Sequence, residues 1–205
     1  DSACFVEGER SAAAESVKTV GWSSPRRCMP PTLASASTRS DYHRGMYLDA
    51  MEFLEEEREA WLAYEALADL TDEQLSVPID AAHGWSGRDL MAHMLAWQGV
   101  SLDAAKELAV GETSPTIARV DADWEARGGE VVNDEITRTW AEVPMADLRE
   151  RFRTQPGELR GYLTVVPETR WVKHAEHLKS FHDETIAHYA DHADDLAAIL
   201  AAARS

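Results

Sequence analysis

Along residues 46–205 the apolar positions recur every three to four residues, which is the period of amphipathic helices. The first such pattern runs from Met46 to about Leu70. Tyr47, Met51, Leu54, Trp61 and Tyr64 form its expected buried stripe, and the run Glu52, Glu55, Glu56, Glu57 and Glu59 includes its wet face. Thr71-Asp72-Glu73-Gln74 reads as a short turn, at most one helical turn before Pro78. A second helix is predicted over Gly87–Val110. Ser86 and Asp89 make the S-x-x-D form of a capping box, and Gly111 supplies the stop. Residues 112–130, with Pro115 and Gly128-Gly129, read as a connection without a defined period. A third helical region spans Val131 to Leu163. Pro144 interrupts it and restarts it at Met145, Pro156-Gly157 threatens it again, and Pro167 ends it. The last helix begins near Trp171 and becomes regular from Phe181, with Ser180 followed by Asp183 and Glu184 as its capping signal. Thr164-Val165-Val166 is a short β-branched run, too brief to change the class. Four long amphipathic patterns can bury one another's stripes, so the expected fold is all-α, an antiparallel four-helix bundle.

Composition divides the chain. Of its 205 residues, the first 45 hold six basic and five acidic side chains, while the remainder hold 14 basic and 32 acidic, a net −18. Both cysteines, Cys4 and Cys28, lie in the first segment, as do the breaker-rich stretches SSPRRCMPP and ASASTRS. Residues 1–45 are therefore expected to be a disordered tail or upstream extension, with a natural start near Met46. That tail lacks the apolar stretch of a signal peptide, and acidic residues interrupt any transit-peptide pattern. Residues 46–205 form the expected domain. Its acidity repels phosphate backbones, which argues against a nucleic-acid partner. No apolar run approaches the roughly 20 residues that span a bilayer, so no membrane partner is expected and the location is read as cytoplasmic. Two cysteines exclude a disulfide scaffold.

Histidines carry the candidate chemistry. His188 and His192 are four apart on the last helix, so their imidazoles point the same way one turn apart, as two ligands of one metal must. Leu196 and Ile199 continue that stripe inward. His93 shares an inward face with Leu90 and Trp97 on the second helix. Three inward histidines from two helices can meet around one ion and leave open positions for water or substrate. Spacing alone leaves the plainer alternatives open: an i,i+4 pair without function, and a hydrogen-bonded core histidine beside Trp97. Glu184, one turn before His188, reads as a base, a fourth ligand or a helix-start carboxylate. Asp191, Asp194 and Asp195 offer an acceptor for an imidazole N–H or stay solvated. Trp97 and Asn133 are candidate pocket residues. His174, His177 and His182 precede the pair, His83 lies in the loop before the second helix and His43 in the tail; none is assigned a role.

Three segments add to this reading: GWSGRDLMAHMLAWQ at 84–98, VVNDEITRTWAEVPMADLRERFRTQPGEL at 131–159 and ETIAHYADHADDLAAIL at 184–200. Together, in order and spacing, they resemble the DinB/YfiT-like superfamily over about residues 46–204. The middle segment is similar to the branch holding ClbS/DfsB-like and maleylpyruvate-isomerase-like proteins. The resemblance implies a four-helix bundle with a divalent metal held by His93, His188 and His192. Some members carry a carboxylate where His188 stands, so this chain has the three-histidine form. It also implies an enzyme that transfers or uses a low-molecular-weight thiol (mycothiol, bacillithiol or glutathione) on a small electrophile, in a detoxification role. The alternatives it leaves are a ClbS-like hydrolase protecting the cell from a reactive metabolite, and a non-catalytic bundle that binds a small molecule or forms a homodimer. Zinc suits three nitrogens with an open position; nickel, iron and manganese remain alternatives. The domain has no cysteine of its own, so a thiol would come from a small cosubstrate.

Overall fold

A computed structural model describes residues 47–204; residues 1–46, which include the expected tail 1–45, and residue 205 lie outside that description. The described residues form nine α-helices and no β-strand; only an isolated bridge pairs Ile79 with Trp85. None of these helices is long and apolar enough to cross a membrane.

The first span is α1, Ala50–Trp61, capped by Asp49, whose carboxylate accepts from the Glu52 N–H. A tighter turn over Tyr64–Asp69 extends it. Tyr47, Leu54, Trp61 and Tyr64 are buried as expected, but Met51 is exposed and Phe53 takes its place inside. Thr71 and Gln74 form a reciprocal capping box around the one-turn α2, Asp72–Leu75. Helix α3 covers Gly87–Val110, the predicted bounds, with the Ser86–Asp89 box closed at both ends.

The stretch read as a connection holds α4, Pro115–Arg127, and the third helical region expected from Val131 opens with α5, Gly129–Arg138, before the interruption at Pro144. Ser114 caps α4 by accepting from the Ile117 N–H, and Pro115 sits in the first turn, where its missing N–H costs nothing. Helix α6, Met145–Val165, runs through Pro156 and takes in Thr164 and Val165, with Val166 as its extended cap residue. An interior proline costs about 3 kcal/mol. Buried Leu148, Phe152, Leu159 and Leu163 offset it at about 1.5–3 kcal/mol each. The last span starts at α7, Ala175–His182, capped by His174 rather than Ser180. Asp183 pairs with Lys179 and does not cap. A wide π turn over Asp183–Ala187 leads into α8, His188–Asp191, and α9, Ala193–Ala202.

Two apolar cores lie at opposite ends of the long spans. One gathers Phe53, Leu102, Leu108, Leu159, Leu163 and Phe181. The other gathers Trp61, Leu90, Leu95, Leu148, Phe152, Tyr189 and Leu196. Between them each span places polar groups in a buried layer: Glu57 on α1, Gln98 and Ser101 on α3, Gln155 on α6 and Thr185 in the π turn. Glu57, expected in an acidic run with a wet face, is fully buried there. It accepts from Arg160 at 2.8 Å and from the Tyr189 hydroxyl at 2.9 Å, and Gln98 donates to that hydroxyl at 2.6 Å. Burial raises the Glu57 carboxyl above its ordinary range, and the Arg160 charge and hydrogen bonds pull against that rise.

One feature of the expected bundle does not hold. Helices α3 and α6 run in the same direction: Arg88 reaches Val143, Gln155 reaches Leu95 and Lys106 reaches Glu158. A parallel pair cannot be joined by a short hairpin, so α4 and α5 form the long crossover between them.

Candidate metal centre

His93 stands in the second turn of α3, carried inward by the face that buries Leu90 and Trp97. His188 opens α8, directly after the π turn. His192 follows α8 at the break before α9, with φ −103° and ψ 11°. The Thr185 hydroxyl donates to the Phe181 carbonyl at 2.6 Å inside that π turn, a local bond that competes with the regular helix ladder.

The three imidazoles are brought together. Their ring centroids lie 4.9 Å (His93–His188), 4.8 Å (His93–His192) and 4.9 Å (His188–His192) apart. One nitrogen from each lies within 4.8 Å of the others, and all three residues are buried. Ligands at about 2.0–2.1 Å from one ion sit roughly 3–4 Å apart, so small ring rotations bring the nitrogens to coordination distance.

The donor chemistry fits a metal. Nε2 of His93 and Nε2 of His188 are buried with no hydrogen-bond partner among the described residues. Buried polar atoms are normally paired, so two such orphans side by side are an acceptor site for a cation. Burial pushes both imidazoles well below the ordinary histidine range, and the neighbouring ring nitrogens push the same way. Both are therefore neutral at pH 7, the form that coordinates.

Two of the rings are oriented from outside the cluster. His93 Nδ1 hydrogen-bonds with the Thr137 hydroxyl at 3.2 Å, across from α5. His192 Nδ1 lies 2.9 Å from the buried Asp195 carboxylate. With Nδ1–H donating outward, each ring turns Nε2 toward the cluster, the tautomer a ligand needs. Asp195 thus makes the carboxylate contact offered by the three aspartates of that helix; His83 lies 3.7 Å from it on the other side. Trp85 lies against His192 at 5.3 Å and against His93 at 4.9 Å.

Trp97 is buried beside His188, with ring centroids 6.0 Å apart, and its indole N–H donates to Asn133 Oδ1 at 2.9 Å. Glu184 lies in the π turn, half-buried, and cannot be a helix-start carboxylate because α7 has begun nine residues earlier. Its carboxyl is raised to about 8, by burial first and then by Asp183 and Asp121, against the pull of Lys179. Thr137 and Trp85 were not among the sequence candidates. Thr137 is four residues after Asn133, and that helical spacing was the signal that could have found it.

Comparison of the chain with family profiles, with curated proteins and with solved structures returns no match.

Proposed function

We propose that this protein is a divalent-metal-dependent enzyme of DinB-like four-helix-bundle type, with His93, His188 and His192 as ligands, acting on a small electrophile with a low-molecular-weight thiol. The observation that carries the reading is the pair of orphaned, buried Nε2 atoms converging on His192, whose other nitrogen is held by Asp195. Three neutral-nitrogen ligands leave the ion's charge undiminished, so bound metal would supply the electrostatic stabilisation of a thiolate or hydroxide at neutral pH. The chain's own residues do the rest. Thr137 and Asp195 orient two of the rings, Trp97 walls the His188 side, and Trp85 shields the His93 and His192 rings from water. Glu184, raised to about 8, can hold or release a proton near neutral pH one turn from His188. Residues 46–205 contain no cysteine, which supports a thiol brought in from solution.

Metal analysis of the purified chain is the first test. One equivalent of zinc, nickel, iron or manganese in the wild type and its loss in His93→Ala and His188→Ala are expected. Stoichiometric metal in either variant refutes the ligand set. The loaded protein is then assayed with mycothiol, bacillithiol and glutathione against a chloronitroarene. Thiol turnover lost in His188→Ala supports the transferase reading; turnover with water alone replaces it with hydrolysis.

A further inference from the structure

The three histidines are buried to 3–5% exposure, although a catalytic metal has to be reached by its substrate. Among the described residues, α5 stands between them and solvent on the Thr137 side. The inner face of α5 presents Asn133 to Trp97 and Thr137 to His93, one turn apart. Its outer face, with Glu130, Val131, Glu135 and Arg138, is exposed.

Among the described side chains of α5 the buried apolar one is Val132, which joins Trp97 and Val120 in a small cluster separate from both main cores. The ends of α5 differ. At the N-terminal end Gly128 has φ +82°, a backbone state that glycine adopts without strain. At the C-terminal end the following turn is clamped, because Arg88 donates to the carbonyls of Trp140, Ala141 and Val143 at 3.5, 3.0 and 2.6 Å. The opposite approach, over Trp85, is pinned by Ile79 N–H to Trp85 C=O at 3.0 Å, Gly84 N–H to Ile79 C=O at 3.0 Å and Trp85 N–H to Ala82 C=O at 2.9 Å.

We infer that α5 is a hinged cover over the metal centre, latched by Asn133 on Trp97 and Thr137 on His93, and that its opening admits metal and substrate. The inference rests on the metal reading for what passes beneath the cover, and not for the opening itself. Thr137 is then a positioning residue twice over: closed, it turns His93 Nε2 inward, and released, it exposes that ring.

The test uses the full chain, wild type, Asn133→Ala and Asn133→Asp. Hydrogen exchange of the metal-free wild type is read first. Amides of 129–138 are expected to exchange at least about tenfold faster than those of 90–98, as a local opening requires. Zinc loading, and zinc stripping by a chromophoric chelator, are then timed. Losing one latch bond is expected to speed both by about two- to tenfold in Asn133→Ala with little change in Kd. Asn133→Asp keeps the acceptor for the Trp97 N–H and is expected to restore the wild-type rates. General destabilisation would speed stripping and weaken Kd without speeding loading, and that result overturns the cover. So do unchanged rates in Asn133→Ala, Asn133→Asp rates equal to those of Asn133→Ala, or exchange of 129–138 in step with 90–98. A wild type that takes up no zinc refutes the metal reading instead, and the exchange comparison alone then decides whether α5 opens.

Discussion

Asp195→Asn separates a metal-orienting carboxylate from a structural one. Asp195 is 6% exposed and its Oδ2 lies 2.9 Å from His192 Nδ1. Asparagine keeps an acceptor at that place but removes the carboxylate charge that faces the ring. Loss of such a partner costs about 10–100-fold in metal affinity, and the retained acceptor puts this case near tenfold, or about 1.4 kcal/mol. Zinc at 100 times the wild-type Kd stabilises the folded chain by about 2.7 kcal/mol, and at a tenfold weaker Kd by about 1.4 kcal/mol. At about 2–4 °C per kcal/mol for a domain of this size, the zinc-induced rise in Tm shrinks by about 3–5 °C. The metal-free protein responds differently. There the substitution removes a buried charge, and the other partner among the described residues, His83, is half exposed at 3.7 Å, so the metal-free Tm holds or rises slightly. Chelator competition gives Kd, and scanning fluorimetry with zinc or with EDTA gives both Tm values. A lower metal-free Tm together with an unchanged zinc Kd would refute the reasoning and make Asp195 a structural residue.

Three further outcomes are expected. His93 and His188 are held well below 6.5 in the folded state, so the unfolded chain binds more protons. Their stability contribution is present above about 6.5 and is lost as pH falls, at no more than about 2.7 kcal/mol per pH unit for the pair. Urea midpoints in EDTA should therefore drop from pH 7.5 to 5.5, and a His93→Gln/His188→Gln variant should flatten that drop; an unchanged slope counts against their neutrality. Glu57→Ala leaves Arg160 and the Tyr189 hydroxyl without their acceptor and should cost about 3–5 kcal/mol in urea unfolding, with Glu57→Gln costing less. Gly129→Ala puts a Cβ 2.4 Å from the Trp124 ring, so about 1–3 kcal/mol of strain should appear as faster exchange in α5 and a lower Tm.

How legible each element was in the sequence follows from where its determinants lie. Helix α3 was readable to its ends because its cap, its stripe and its terminal glycine are all local. Helix α4 carries an equally local signal, Ser114 before Pro115, but proline also reads as a breaker, and the buried apolar stripe is only Ile117 and Val120, with Trp124 partly buried beside it. The π turn has no period to betray it, and the Ser180 signal misled because Asp183 answers to Lys179. Glu57 looks like its solvated neighbours; its partner Arg160 is 103 residues away, so only the folded chain shows the pairing. His188 and His192 were visible as a pair through helical spacing, and the packing of α3 against the last span brings His93 to them.

The crossover and the site depend on one another. His188 and Tyr189 are consecutive, and adjacent helical residues diverge by about 100°, so they face two different surroundings. Tyr189 turns into the polar layer between α1 and α3, where Glu57 and Gln98 hold its hydroxyl. His188 turns to the side bounded by α3 and Trp97. The long spans alone bury the first direction and leave the second open on one flank. Because α3 and α6 run parallel, the chain must cross over between them, and the α4–α5 crossover closes that flank with Trp124 against Trp97 and Thr137 against His93. The connection that the helix directions require therefore also keeps the His93 and His188 imidazoles dry and neutral. A redesign joining α3 to α6 by a linker of similar reach but without α5's inner face should keep both apolar cores and lose the low histidine pKa values first.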